Sequence, residues 1–173
     1  MLLNMKLTRH LAIGLGAVIL AAGATLAALS VGTATMAPDV AYTRLDGSSA
    51  RTSDLKGKVV LVNFWATSCT TCVKEMPQII ATHKKYAGKG FDTLAVAMSY
   101  DPPAYVVNFA QSRQLPFTVV IDNLGHMAQQ FGDVQLTPTT VLINKRGEIV
   151  KRYVGEPDFA ALHALVDRLI AEA

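Results

Sequence analysis

The chain has 173 residues, enough for one ordinary domain with a full hydrophobic core. Its net charge is only +3, and its 16 Lys and Arg residues are scattered, with no arginine-rich run or basic stripe, which argues against nucleic-acid binding. Its two cysteines lie in one short motif, so no separate structural disulfide can form within the chain.

Lys6 and Arg9 precede a run, Leu11 to Met36, that contains no charged residue. A helix needs about 20 apolar residues to cross a bilayer core. The apolar part of a signal peptide is shorter, about 7–15 residues, and ends in a small-residue cleavage site. This run is long enough to span, and Gly32-Thr-Ala34 is its nearest approach to such a site. Residues 1–36 therefore read as an uncleaved transmembrane anchor, with a cleaved signal as the alternative. The basic residues ahead of the run hold the N-terminus in the cytoplasm and send residues 37–173, one domain, outward. Four glycines in the run and no amphipathic pattern argue against a buried core helix.

Ala37-Pro38-Asp39 reads as a short tether. Val40 to Arg44, the turn signal Asp46-Gly47 and Ala50 to Thr52 predict a hairpin. Ser53 to Gly57 is a turn or helical loop. Val59 to Phe64 is almost continuously apolar and β-branched, the pattern of a central strand covered on both faces. Thr70 to Tyr86 reads as a helix with Val73, Met76, Ile79, Ile80 and His83 along one side and Pro77 inside it. Phe91 to Ser99 is the next strand, and Asp101-Pro102-Pro103 predicts the cap and first turn of a helix reaching Gln114.

Phe117 to Ile121 is a third core strand, followed by a turn at Asp122 to Gly125 and a short helix from His126 to Phe131. Thr139 to Ile143 and Glu148 to Val154 flank Asn144 to Gly147 as a second hairpin, and Pro157 to Ala171 is a closing amphipathic helix. Strands separated by helices pair parallel, while the last hairpin is antiparallel. The expected fold is α/β, a central mixed β-sheet flanked by helices, with an N-terminal hairpin extension.

Cys69-Thr-Thr-Cys72 falls between the central strand and the first long helix. Two cysteines at this spacing on a first helical turn suit reversible dithiol–disulfide chemistry. The sulfurs can bond with little backbone movement, and the helix N-terminus favours a thiolate through its free N–H groups and dipole. A zinc site would need two further ligands, and the histidines at 10, 83, 126 and 163 form no close pair. His126 and the Lys84-Lys85 pair read as solvated surface.

Gly57-Lys-Val-Val-Leu-Val-Asn-Phe-Trp-Ala-Thr-Ser-Cys-Thr-Thr-Cys-Val-Lys-Glu-Met-Pro77 and Thr137-Pro-Thr-Thr-Val-Leu-Ile-Asn144 carry a specific resemblance. Residues 38–172 resemble membrane-anchored or secreted thioredoxin-like proteins of the TlpA/ResA/CcmG kind. The resemblance implies a thiol–disulfide oxidoreductase in which Cys69 attacks and Cys72, one turn deeper, resolves the mixed disulfide. It implies that Pro138 is cis and lies opposite the cysteines, and that Thr137 presents backbone groups to an extended substrate.

Glu75 matches the position of a functional glutamate in ResA-like proteins. A carboxylate there raises thiol pKa by repulsion and accepts the proton of Cys72. The alternative is an ordinary solvated helix residue. Asn63 stands where thioredoxin itself has a buried aspartate and cannot take up a proton. Trp65 either shapes the substrate surface beside the site or simply packs in the core. Ser68 and Thr70-Thr71 depart from the aromatic residue and proline-containing pairs common in relatives.

The resemblance further implies a reductase on the periplasmic side of a bacterial inner membrane. Its clients would be apocytochrome c thiols or copper-centre assembly proteins, and a membrane electron donor of the thiol-transfer type would supply it. No cofactor is expected. Two other classes stay open: an oxidase that donates its disulfide to folding proteins, and a non-catalytic module binding Cu(I) through the dithiol.

Overall fold

The structure is a computed structural model and describes residues 34–172. The expected anchor, apart from residues 34–36, lies outside the described residues.

Among the described residues, seven strands and four α-helices follow one another. The strands are β1 (Ala41–Thr43), β2 (Ser49–Arg51), β3 (Val59–Trp65), β4 (Phe91–Ala97), β5 (Thr118–Ile121), β6 (Thr139–Ile143) and β7 (Ile149–Val154). The helices are α1 (Thr70–Tyr86), α2 (Pro103–Ser112), α3 (His126–Gln130) and α4 (Phe159–Ala171). A 3-10 turn, Thr52–Leu55, joins β2 to the segment before β3.

The main sheet has five strands in the order β5-β4-β3-β6-β7. β3 pairs parallel with β4 and antiparallel with β6, while β5 pairs parallel with β4 and β7 antiparallel with β6. All seven residues of β3 are buried, as its unbroken apolar pattern requires.

Alternate β3 residues serve two cores. Val59, Leu61 and Trp65 join Met76 and Ile79 of α1, Val106 of α2, and Leu162 and Val166 of α4. Val60, Val62 and Phe64 face the other way, toward Tyr42, Ala50, Met127 and Phe131. Phe64 and Phe131 stack edge to face with centroids 5.5 Å apart. Three helices thus cover one face, and α3 with the β1–β2 hairpin covers the other.

The hairpin is tied to the edge of the sheet by a bridge between Arg44 and Val120. The stretch read as a tether is part of the folded domain. Ala37 N–H donates to the Gly147 carbonyl at 2.8 Å, the Thr52 hydroxyl donates to the Pro38 carbonyl at 2.6 Å, and Arg51 pairs with Asp39 at 2.8 Å. The Thr35 carbonyl already accepts from Ile149 N–H at 2.8 Å. Backbone groups at the loop of the second hairpin, where Asn144 and Gly147 are buried, need partners, and this segment supplies them.

Two further expectations change. The buried side of α1 is Cys72, Glu75, Met76, Ile79, Thr82 and Tyr86, so Val73, Ile80 and His83 lie on its half-buried margins. α2 ends at Ser112 because Gln114 takes a left-handed conformation, with φ at 49°, that a helix cannot continue through.

The closing helix has a strong start. The Asp158 carboxylate accepts from Ala160 N–H at 2.9 Å and Ala161 N–H at 3.1 Å, satisfying groups with no partner inside the helix. Replacing Asp158 with Ala is expected to cost about 1 kcal/mol. A matching fall in the urea midpoint with an unchanged slope checks this.

Candidate active site

β3 ends at Trp65 and α1 begins at Thr70, so the intervening turn lies at the carboxyl end of the parallel strands. Open α/β sheets place their reactive groups there. Cys69 occupies the cap position of α1 with extended backbone, and its sulfur accepts from Cys72 N–H at 3.1 Å. That N–H and the helix dipole favour negative charge on the Cys69 sulfur once the pair is reduced. Cys69 and Cys72 are joined as a disulfide with Cα atoms 5.2 Å apart. Cys69 is half-buried and Cys72 fully buried, so an incoming sulfur meets Cys69 first.

Glu75 is not a solvated helix residue. It follows Cys72 by one turn on the same buried face and is 0% exposed. Its Oε1 accepts from the Asn63 side-chain amide at 3.1 Å, and the same amide nitrogen donates to Thr140 Oγ1 at 3.0 Å. Asn63 and Thr140 are also ladder partners across β3 and β6. Glu75 Oε2 has no hydrogen-bond partner among the described residues. Burial pushes the Glu75 carboxyl from 4.5 up to about 7, the Asn63 bond opposing this and the Glu156 charge adding to it. A carboxyl group poised near neutrality beneath a buried thiol can take or release a proton at working pH.

Pro138 is buried and its bond to Thr137 is cis. Thr137 is half-exposed, and neither its N–H nor its carbonyl has a backbone partner among the described residues. The Tyr100 hydroxyl lies 3.1 Å from Thr137 Oγ1. Thr139, next after Pro138, pairs with Phe64 near the end of β3, so the Thr137–Pro138 loop enters β6 beside the strand that leads to the cysteine turn.

Of the two readings of Trp65, the structure shows core packing: it is 0% exposed and packs on Phe109 with ring centroids 5.1 Å apart, within the same core cluster as Cys72. A fully buried ring offers no surface to a client, so the substrate-surface reading does not hold. Ser68, His126, Lys84 and Lys85 are exposed.

Two residues at the site escaped the sequence reading. Asp101 looked like the cap of α2, but the cap is Pro102 and receives no side-chain bond. The Asp101 carboxylate instead accepts from Thr67 N–H at 2.6 Å and from the Thr67 hydroxyl at 2.5 Å. Tyr100, beside it, reaches Thr137. An aspartate before Pro-Pro imitates a helix start, and nothing in the local pattern reveals a partner 34 positions away. Asn63 did carry a signal, since a lone polar residue in a strand buried on both faces needs a buried partner.

The Redoxin family model matches residues 31–166. The chain belongs to the Redoxin family. It is 38% identical over 120 residues to the thiol-disulfide oxidoreductase ResA of Bacillus thuringiensis subsp. konkukian, covering 69% of this chain and 68% of that one. It is similar to the solution structure of a thioredoxin-type protein of Neisseria meningitidis at 44% identity and a TM-score of 0.75, covering 80% of this chain and 93% of that one. A thiol:disulfide interchange protein of the thioredoxin family from Chlorobium tepidum TLS matches at 25% identity and a TM-score of 0.74, covering 82% and 99%. This Redoxin protein has the thioredoxin-like fold and is a ResA-type thiol–disulfide oxidoreductase, acting on cysteine-containing client proteins.

Proposed function

We propose that this oxidoreductase is a membrane-anchored reductase working outside the cytoplasm, and that its clients are disulfides formed during assembly of c-type cytochromes or copper centres. The observation that carries the reading is a half-exposed Cys69 paired with a buried Cys72 directly above a buried carboxyl group that titrates near neutrality.

In the reduced enzyme the Cys69 thiolate attacks one sulfur of a client disulfide. A Cys69–client mixed disulfide forms and the other client sulfur leaves as a thiolate. Glu75 accepts the Cys72 proton, and the Cys72 thiolate attacks Cys69 Sγ. The client's second thiolate leaves, and the Cys69–Cys72 disulfide remains. Two electrons have passed to the client. A membrane dithiol donor returns them to the pair. Thr137 offers its backbone groups to the extended client segment.

The charge-free run after Lys6 and Arg9 supports the anchor and its orientation. Similarity to the thiol-disulfide oxidoreductase ResA and to a thiol:disulfide interchange protein supports the exchange chemistry.

The direction of the reaction is tested with a peptide containing the C-x-x-C-H haem-attachment motif. The reduced full-length protein is expected to reduce the peptide's disulfide and to end with Cys69 and Cys72 bonded. Quantitative oxidation of the reduced peptide by the disulfide form would instead make the protein an oxidase. A reporter that works only outside the cytoplasm, fused after Ala173, is expected to be active, with the fusion in the membrane fraction. Full-length protein in the soluble fraction would remove the anchor, and a shortened soluble form would make residues 1–36 a cleaved signal.

A further inference from the structure

We propose that Asp101 is a positioning residue of this active site, fixing through Thr67 the loop that presents Cys69. The proposal rests on the reading of Cys69 as the attacking thiol.

Asp101 is 2% exposed, and each of its oxygens takes one bond from Thr67: Oδ2 from the N–H and Oδ1 from the hydroxyl. A buried carboxylate is costly unless well bonded, and charge-assisted bonds are about twice as strong as neutral ones. Together the two bonds fix both the backbone of Thr67 and the rotamer of its side chain.

Thr67 lies inside the turn that ends at Cys69, where Cys69 N–H donates to the Ala66 carbonyl at 3.2 Å. Asp101 is itself held firmly. Its N–H donates to the Met98 carbonyl at 2.9 Å, and Met98 N–H donates to the Trp65 carbonyl at 3.0 Å. The carboxylate therefore belongs to a frame built on the ends of β3 and β4, and the cysteine turn is braced against it.

The same loop reaches the other side of the site through Tyr100 and Thr137. Tyr100 and Asp101 thus touch both the loop that leads into β6 and the turn that carries Cys69. Disulfide exchange needs the attacking sulfur aligned with the bond it breaks, and a misplacement of about 1 Å can cost about 100-fold in rate. A brace on the nucleophile's turn acts on that alignment.

The test uses the full-length protein in detergent with Cys72→Ser as background. The readout is the second-order rate at which Cys69 attacks a small aromatic disulfide, followed against pH. Asp101→Asn and Thr67→Val are each expected to slow the reaction about tenfold or more. The double variant should be slowed by less than the product of the two single effects, because both weaken the same brace. Thr67→Ser, which keeps the hydroxyl and the N–H, should restore a rate close to that of the unaltered turn.

Two results would overturn the proposal: slowing in the double variant equal to the product of the singles, or a Thr67→Val rate equal to that of Thr67→Ser. The second comparison decides the matter if Asp101→Asn does not fold. Failure of the Cys69 assignment shows separately, as reaction of the probe at Cys72 in Cys69→Ser with none at Cys69 in Cys72→Ser.

Discussion

In a Cys72→Ser variant, client proteins are expected to accumulate as mixed disulfides on Cys69, whereas Cys69→Ser should trap none and lose client reduction altogether. The asymmetry follows from burial and from the helix start. Cys69 is half-exposed at the cap of α1, and its sulfur receives the Cys72 N–H at 3.1 Å, which stabilises a thiolate there. Cys72 is fully buried, and its negative charge would have to form beside the Glu75 carboxyl. Cys72 can therefore reach a sulfur already attached to Cys69 but not one arriving from solvent. Non-reducing electrophoresis of each variant, with mass spectrometry of the linked peptides, reads the outcome. Equal trapping by Cys69→Ser would reverse the two roles.

Glu75→Gln is expected to flatten the pH dependence of stability of the disulfide form between about pH 4.5 and pH 7. The folded carboxyl titrates at about 7 against an ordinary 4.5, so the folded chain holds this proton more tightly than the unfolded chain. Its contribution is complete below the unfolded value and is lost as pH rises through the folded one. The size is roughly 3–4 kcal/mol, given that one pKa unit corresponds to about 1.4 kcal/mol.

Gln keeps the shape and the acceptor for the Asn63 amide while removing the titration. Urea unfolding of both oxidised proteins from pH 4 to pH 8 checks this, and parallel curves would remove Glu75 from the account. In the reduced enzyme the same change should lower the pH at which the buried thiol titrates and slow client reduction near neutrality. A carboxylate no longer repels the Cys72 thiolate, and no base takes its proton.

Much of the architecture could be read from local pattern. The unbroken apolar run of β3, the helix that begins after Cys69, and the turn residues of the last hairpin each depend on neighbours within a few positions. Side-chain direction, turn geometry and capping act at that range, so their signals survive in the linear chain. The dithiol belongs to the same class, because a cysteine pair two residues apart at a helix start is defined by local spacing and the dipole beside it. Residues 37–39 misled the reading for the opposite reason. Their polar composition suits a linker, and their partners, Gly147 and Thr52, are brought to them only by the closed sheet.

The sequence by itself determined the reactive pair, the order of strands and helices, and the turn that carries Cys69. Tertiary structure alone decided what surrounds them. Glu75 could face water or core on a helix of that pattern. It is buried because β3 places Asn63, itself bonded to Thr140 of β6, against it, and that burial is the main cause of its raised pKa. Trp65 could have lined the surface, but Phe109 of α2 covers it. Asp101 carries every local mark of a helix cap, yet it is spent on Thr67. Hydrogen bonding and desolvation depend on which atoms are near in space, and distance along the chain does not encode that until the sheet has formed.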